Sequence, residues 1–217
     1  MQTNGTQSND YPIQPLVFTK VNVNDRFWRP RIEINRDVTI PYCFEKCEAT
    51  GRVRNFEKAG GLVENDGLLH GCCFDDSDLY KILEGAGYAL GVKRDPELEA
   101  YCDALIDKIE AAQEEDGYLY TARTINPEHP HEWSGKERWE KEADLGHELY
   151  NLGHLIEGAV AYYQATGKRK LLDISIRFAD LVDRDFGPDR VTTAPGHQGI
   201  ELALVRLARV TGEMRYL

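Results

Sequence analysis

The sequence lacks an excess of basic residues. Its 26 lysines and arginines are outnumbered by 37 aspartates and glutamates, which gives a net charge of −11. Nucleic-acid binding depends on Lys and Arg side chains that displace counterions from phosphates, and an acidic chain offers no such surface. We therefore expect no nucleic-acid partner.

Two kinds of apolar segment are also missing. No apolar run approaches the roughly 18 residues that a membrane-spanning helix needs. The start, MQTNGTQSNDYPIQPLVF, has no basic segment followed by an apolar core, as a secretory signal would. These absences predict a cytoplasmic protein without a membrane partner, or a periplasmic one if an upstream segment is missing.

Cysteine is scarce, and its spacing does not suit a metal site. The chain has 5 cysteines among 217 residues, an odd number that favours a reducing compartment over a disulfide framework. Cys43 and Cys47 are one helical turn apart, and Cys72 and Cys73 are adjacent, so neither pair is a CxxC motif. We expect small buried thiols and no metal or other cofactor within this chain. No role can be assigned to Cys72 or Cys73.

The residues that are present predict helices for most of the chain. A polar segment, residues 1–15, is expected to be loose, and residues 16–28 alternate between apolar and polar as in a short β-strand. Beyond Pro30 the apolar residues, Val38 among them, recur at helical spacing and predict a first helix that ends near Gly51.

Three helix-pair segments follow, at residues 76–121, 146–187 and 196–217. The last two resemble each other, because each begins with Gly-His and each has a Thr-Gly turn, at 166–167 and 211–212. Such repetition predicts an array of α-hairpins. Since TGEMRYL matches TGKRKLL but stops at Leu217, we expect a fragment with about six complete helices, by analogy with stacked-hairpin folds.

His147 and His197 occupy equivalent positions at the starts of two hairpins. In the preceding hairpin, the matching position holds Asp76, Ser77 and Asp78. If the hairpins pack in a ring with their first helices inside, these residues share one rim of a central cavity, where helix N-termini also offer free N–H groups. The alternative is helix capping, which suits Asp76 and Ser77 better than the histidines.

Other polar residues give weaker signals. His154 follows His147 by two helical turns, but HELYNLGH lacks the spacing of a metal-binding helix, so a hydrogen-bonded core histidine is expected. A loop with several aromatic and imidazole side chains could cover either a ligand or the core: His129, His131, Trp133 and Trp139.

Four glutamates are candidate acids: Glu142, Glu148, Glu157 and Glu201. Glycoside hydrolysis needs two carboxyl groups, or an equivalent acid and nucleophile, at a defined separation. No pair among these four is recognisable from the sequence as such an arrangement.

A series of motifs in a fixed order is more specific than any of these residues alone. The motifs are FWRPR, IPY, RNFEKAGG, FDDSDLYKILEGAGYAL, QEEDGYLYT, GHELYNLGHLIEGAVAYYQATGKRKLLDISIRFAD, FGP and GHQGIELALVRLARVTGEMRYL. Over residues 16–217 this series resembles glycoside hydrolase family 127. The resemblance implies an all-α, incomplete (α/α)6 toroid, in which residues 16–217 form the N-terminal half of the barrel domain.

The resemblance also implies an activity. Family members are retaining exo-glycosidases that release β-L-arabinofuranose from arabinose-containing plant glycans, so the implied partner is an oligosaccharide or glycan. The family uses a zinc-bound cysteine as nucleophile and a glutamate as acid/base, and coordination keeps such a thiolate deprotonated. No motif within residues 1–217 corresponds to these groups. We expect them, and the zinc of the full-length parent, beyond residue 217, and we expect this chain alone to be inactive.

The resemblance assigns substrate contacts more narrowly. His147 and His197 match the family's sugar-contacting histidines, and Asp76 and Asp78 fall in a characteristic motif and are further candidates. Two alternatives remain open: another exo-glycosidase on the same toroid, and a non-enzymatic helical-repeat binding module. A half-barrel would also expose apolar helix faces through which the chain could self-associate.

Overall fold

The computed structural model describes residues 16–217, and the regular elements in this range are all helical. The all-α prediction is confirmed, but the short strand predicted over residues 16–28 is wrong. Phe18–Lys20 form a 3-10 turn, and the first α-helix begins at Trp28. The Phe18 ring packs edge-on against Tyr88, with the centroids 4.8 Å apart. A side-chain contact therefore attaches this segment, and the predicted loose segment 1–15 lies outside the described residues.

The predicted first helix is interrupted. Helix α1 (Trp28–Ile34) continues through a π-turn (Asn35–Thr39) into α2 (Ile40–Ala49), and α3 (Arg52–Ala59) follows. A π-turn inserts an extra residue and rotates the face that follows it. Val38, which the helical spacing placed on the apolar face, is consequently 60% exposed. The buried side chains of α2 are Ile40, Phe44 and Cys47.

The predicted hairpins are present. Helices α4 (Asp76–Val92) and α5 (Pro96–Ala112) form the first, with the Asp95 carboxylate accepting hydrogen bonds from two N–H groups at the start of α5. After the short α6 (Thr121–Thr124), helices α7 (Glu148–Thr166) and α8 (Lys170–Asp185) form the second, and α9 (Gly199–Thr211) begins the third segment. Gly167 and Gly212 end α7 and α9 in the left-handed conformation, as the Thr-Gly turns predicted.

The helices form two layers. Helices α4, α7 and α9 lie side by side in one layer, while α5 and α8 pack behind them in a second. The first helix of each hairpin therefore belongs to the same layer, as expected for part of an (α/α)6 toroid. Helices α2 and α3 pack against α4, and α3 also packs against α5.

Glycines bring the helices of the first layer into backbone contact. A Cβ atom on Gly158 of α7 would lie 2.8 Å from the carbonyl oxygen of Tyr80, and one on Gly87 of α4 would lie 2.8 Å from the backbone nitrogen of Tyr162. Because later residues of α4 meet later residues of α7, the two helices run parallel. Their N-terminal ends therefore lie at the same end of the layer. We call this contact between α4 and α7 the seam.

Candidate functional site

Several rings meet at the N-terminal end of the first layer. The Tyr150 ring lies 5.3 Å from the His147 ring, 4.5 Å from His154 and 4.9 Å from His197, measured between centroids. The Lys81 Nζ atom donates to the Tyr150 hydroxyl at 2.7 Å. We call these five residues the mouth cluster. The predicted convergence of His147 and His197 on one rim is confirmed, while their contact with a sugar stays a prediction.

His147 is held in an unusual backbone conformation. As the residue before α7 it has φ 62° and ψ 30°, in the left-handed region that few non-glycine residues occupy. Its ring is half-buried, and its Nδ1 atom is buried without a hydrogen-bond partner among the described residues. Burial, and then the neighbouring His197, lowers the pKa of His147. The imidazole is therefore neutral near pH 7 and offers one donor and one acceptor.

His197 differs because it is exposed and already oriented. Its Nδ1 atom accepts a hydrogen bond at 3.1 Å from the backbone N–H of Gly199, the first residue of α9. A neutral ring that accepts at Nδ1 carries its proton on Nε2. His197 therefore has an N–H donor free to meet a ligand oxygen.

The prediction that His154 is a hydrogen-bonded core residue is wrong. Its ring is half-buried against Tyr150, and its Nδ1 atom has no partner in the described part of the chain. Burial, followed by the charge of Lys81, lowers the pKa of His154 to about 4. Since the ring stays neutral at physiological pH, His154 extends the same wall of the mouth cluster by one more imidazole.

The two candidate aspartates differ from each other. Asp76 is 2% exposed, and its carboxylate oxygens accept the Thr121 N–H at 2.8 Å and the Thr121 hydroxyl at 2.6 Å. Both oxygens are thus occupied by a residue 45 positions away, and Asp76 neither caps α4 nor offers an oxygen to a ligand. Asp78 keeps a side chain that is 44% exposed and lies 3.4 Å from Arg52. We retain Asp78, but not Asp76, as a candidate ligand contact.

Two of the candidate acids support the segments that carry the histidines. Glu148 accepts the Tyr118 hydroxyl at 2.5 Å and the Trp139 N–H at 2.9 Å. Glu142 accepts the Leu149 N–H at 3.1 Å. Both carboxyl groups are fully buried, and burial raises the pKa of each to about 7. Their contacts are structural, because they join the loop before α7 to the first turn of that helix.

The other two candidate acids lie on α7 and α9. Glu157 binds Arg206 of α9 at 2.5 Å, and the side chain of Glu201 is exposed at the start of α9. The absence of a catalytic carboxyl pair from this chain stays a prediction.

Three of the five cysteines are buried thiols. Burial raises the pKa of Cys47 and of Cys73 to about 11 and that of Cys102 to about 12, so these three thiols are protonated at neutral pH. Cys73 donates its thiol to the Leu145 carbonyl. Among residues 16–217, no three His, Cys, Asp or Glu side chains lie together as metal ligands would. The described residues therefore do not fit a zinc site.

The aromatic loop before α7 contains one buried and one partly exposed tryptophan. Trp139 is 6% exposed and donates its indole N–H to Asp185 at 2.9 Å, so it belongs to the core. Trp133 is 37% exposed and stacks against Phe74, with centroids 6.4 Å apart and planes 16° apart. Phe74 in turn lies 5.3 Å from the His147 ring. Trp133 thus connects to the mouth cluster through a single ring.

Sequence reasoning missed Lys81 and Tyr150, although a signal for each was present. Tyr150 lies three residues after His147 and four before His154, which places all three on one helical face. Lys81 lies four residues after Ser77, whose hydroxyl it contacts at 2.9 Å. The spacing on one helix would have predicted the first grouping, whereas the contact between α4 and α7 is needed for the second.

Comparisons with known proteins agree with this geometry. The catalytic-domain model of the GH127 β-L-arabinofuranosidases matches residues 20–217. The chain belongs to this family. The resemblance read from the motifs is confirmed, and with it membership of a glycoside hydrolase family. No helix in the described range is long and apolar enough to cross a membrane.

The individual relatives that this GH127 chain matches are longer than the chain. The non-reducing end β-L-arabinofuranosidase of Bifidobacterium longum subsp. longum is 45% identical over 167 residues, which are 76% of this chain and 24% of the relative. A solved GH127 β-arabinofuranosidase superposes with TM-score 0.90 at 53% identity, over 95% of this chain and 33% of its own length. A GH127 β-L-arabinofuranosidase from Geobacillus stearothermophilus gives TM-score 0.83 at 42% identity, over 90% and 31%. The chain thus spans a third or less of each, and the predicted toroid fold is confirmed.

Proposed function

We propose that this chain forms one wall of the terminal-sugar pocket of a retaining, exo-acting β-L-arabinofuranosidase that acts on arabinose-containing glycans. One observation carries the proposal. His147 and His197, which come from different repeats of a GH127 chain, converge on Tyr150 at one end of the helical layer. Burying a polar atom without a partner is costly, so the unpartnered Nδ1 atom of His147 indicates a place that a ligand completes.

The chemistry of the mouth cluster suits a small sugar. Neutral imidazoles donate and accept hydrogen bonds, as hydroxyl groups do, while the Tyr150 ring offers an apolar surface to the C–H groups of a furanose. Lys81 holds Tyr150 through its hydroxyl. In this proposal His147 and His197 bind sugar hydroxyls, His154 adds a neutral wall, and Asp78 lies at the edge of the pocket.

We further propose that the nucleophile, the acid/base and any zinc ligands lie outside residues 1–217. The support is chemical: the four candidate glutamates are engaged elsewhere or exposed, and the buried thiols have raised pKa values. Incubation of the chain with an aryl β-L-arabinofuranoside and zinc is then expected to give no turnover. Zinc-dependent turnover would place the catalytic groups inside this chain and overturn this part of the proposal.

Binding tests the proposal directly. Calorimetric titration of the chain with methyl β-L-arabinofuranoside is expected to show binding that His147→Ala and His197→Ala each weaken by about 2- to 10-fold, the value of one lost hydrogen bond. His129→Ala is the matched control, because His129 is exposed in the loop before α7 and its ring makes no hydrogen bond or aromatic contact within the described residues. Folding of each variant is verified by thermal unfolding.

The comparison ligand is the D-enantiomer of the same glycoside. Discrimination between the enantiomers is expected, because fixed hydrogen-bonding groups recognise the arrangement of the hydroxyls. Equal binding of both enantiomers, or equal effects of the His147 and His129 substitutions, would contradict the pocket. Stronger binding of another monosaccharide glycoside would instead favour a different exo-glycosidase on the same fold.

A further inference from the structure

A row of rings extends the mouth cluster outward. It runs from Tyr150 through His147 and Phe74 to Trp133. The centroids of successive rings are 5.3, 5.3 and 6.4 Å apart. We call Phe74 and Trp133 the aromatic shelf. The shelf adjoins His147, which is proposed to bind the terminal sugar, and ends at the indole of Trp133, which is 37% exposed.

The exposed indole is held in place by its own loop. The backbone N–H of Trp133 donates to the Nδ1 atom of His131 at 3.2 Å, and the rings of these two residues pack edge to face with centroids 5.4 Å apart. Ser134 donates its hydroxyl to the His131 carbonyl at 2.7 Å. The Trp133 side chain is therefore oriented by neighbours on one side and partly open to solvent on the other.

Trp139 shows that the loop does not need Trp133 for its core. Trp139 already fills the buried position, with its N–H bound to Asp185 and its ring packed against Phe178 and Phe186. A second large aromatic side chain, oriented but partly exposed and one ring away from the unpartnered Nδ1 atom of His147, is typical of a ligand site.

We propose that the aromatic shelf binds the sugar residue to which the terminal arabinofuranose is linked. This inference rests on the proposed function. A flat aromatic surface stacks on the C–H face of a sugar ring without demanding a particular pattern of hydroxyls. The mouth cluster would thus determine which terminal sugar is bound, and the shelf would favour a second ring beside it while tolerating different linkages.

The test compares ligands with one and with two sugar rings. Methyl β-L-arabinofuranoside and disaccharides in which β-L-arabinofuranose is linked to different hydroxyls of a second L-arabinofuranose are titrated into the complete chain. Trp133→Ala is expected to weaken disaccharide binding by about 2- to 10-fold, the range for loss of one aromatic stacking contact, and to leave the methyl glycoside unchanged. Trp133→Phe keeps an aromatic face and is expected to retain most of the disaccharide affinity.

Trp28→Ala is the matched control, because Trp28 is a more exposed tryptophan, 58%, on α1. It is expected to change neither affinity. If the unaltered chain binds the disaccharides no better than the methyl glycoside, or if Trp133→Ala weakens both ligands equally, the shelf proposal is overturned while the proposed function stands. If neither ligand binds, the proposed function fails and the shelf proposal fails with it.

Discussion

The seam and the mouth cluster share helices α4 and α7 but are built in opposite ways. Along the seam, Gly87 and Gly158 bring α4 and α7 into backbone contact. At the N-terminal ends of these helices, His147 has a left-handed backbone, and the Nδ1 atoms of His147 and His154 lack hydrogen-bond partners among residues 16–217. Close packing stabilises a fold, whereas strain and unpaired polar groups cost stability and persist where they serve binding.

The largest effect on stability is expected from breaking the seam. Gly158→Ala places a Cβ atom 2.8 Å from the backbone oxygen of Tyr80, which cannot move without shifting α4. We expect the free energy of unfolding to fall by about 1–3 kcal/mol, as in other overpacked interfaces, despite the higher helix propensity of alanine. Urea unfolding followed by circular dichroism measures the change.

Gly85→Ala is the matched control for the seam. Gly85 also lies in α4, but a Cβ atom there would have no heavy atom within 4 Å in the described structure, apart from the excluded local backbone. This substitution is expected to stabilise the chain by up to about 1 kcal/mol through helix propensity alone. Similar destabilisation by both substitutions would show that close approach at the seam is not the cause.

The next effect is a pH dependence of stability that arises from the buried carboxyl groups beside the mouth cluster. Burial raises the pKa of Glu142 to about 7 from its ordinary value of 4.5. Between these two pH values the folded chain keeps a proton that the unfolded chain has lost, so the free energy of unfolding falls as pH rises through this window. Glu148 and Asp76, whose pKa values burial also raises to about 7, contribute in the same direction.

Glu142→Gln removes one of these titrating groups while keeping an oxygen that can accept the Leu149 N–H. The variant is expected to match the parent chain below pH 4.5 and to be more stable by about 1–3 kcal/mol at pH 8, with a shallower pH dependence. Unfolding measured across this pH range decides the point. Glu201→Gln, at an exposed position, provides the control and should leave the curve unchanged. A constant offset at every pH would contradict burial of a titrating carboxyl group.

Much of the helical framework could be predicted from the sequence, because its signals are local. Asp95-Pro96 and the Thr-Gly turns ending at Gly167 and Gly212 set helix boundaries through capping and backbone conformation, which depend on a few neighbouring residues. The repeated Gly-His starts also predicted the convergence of two histidines. Each of these features needs only the order of residues along one or two segments.

The rest depended on contacts between distant residues. Alternation over residues 16–28 resembled a strand, but Phe18 packs against Tyr88 of α4 and no strand forms in this segment. The capping and ligand roles considered for Asp76 overlooked Thr121, 45 positions away, which occupies both carboxylate oxygens. No local pattern indicates that pairing.

The smallest effect on stability separates strain from binding within the mouth cluster itself. A left-handed backbone costs a non-glycine residue about 1–2 kcal/mol, whereas glycine adopts it freely but gains entropy in the unfolded chain. His147→Gly is therefore expected to be as stable as the parent or more stable by up to about 1 kcal/mol, although it removes a proposed sugar contact. His147→Ala keeps the strained backbone and removes the same contact. Thermal unfolding compares the two variants. If the glycine variant has the higher unfolding temperature while both lose affinity for methyl β-L-arabinofuranoside, the strained backbone at this position serves to place the imidazole for binding. If the glycine variant is the less stable of the two, the histidine ring instead stabilises the start of α7, and the contrast with the seam is lost at this residue.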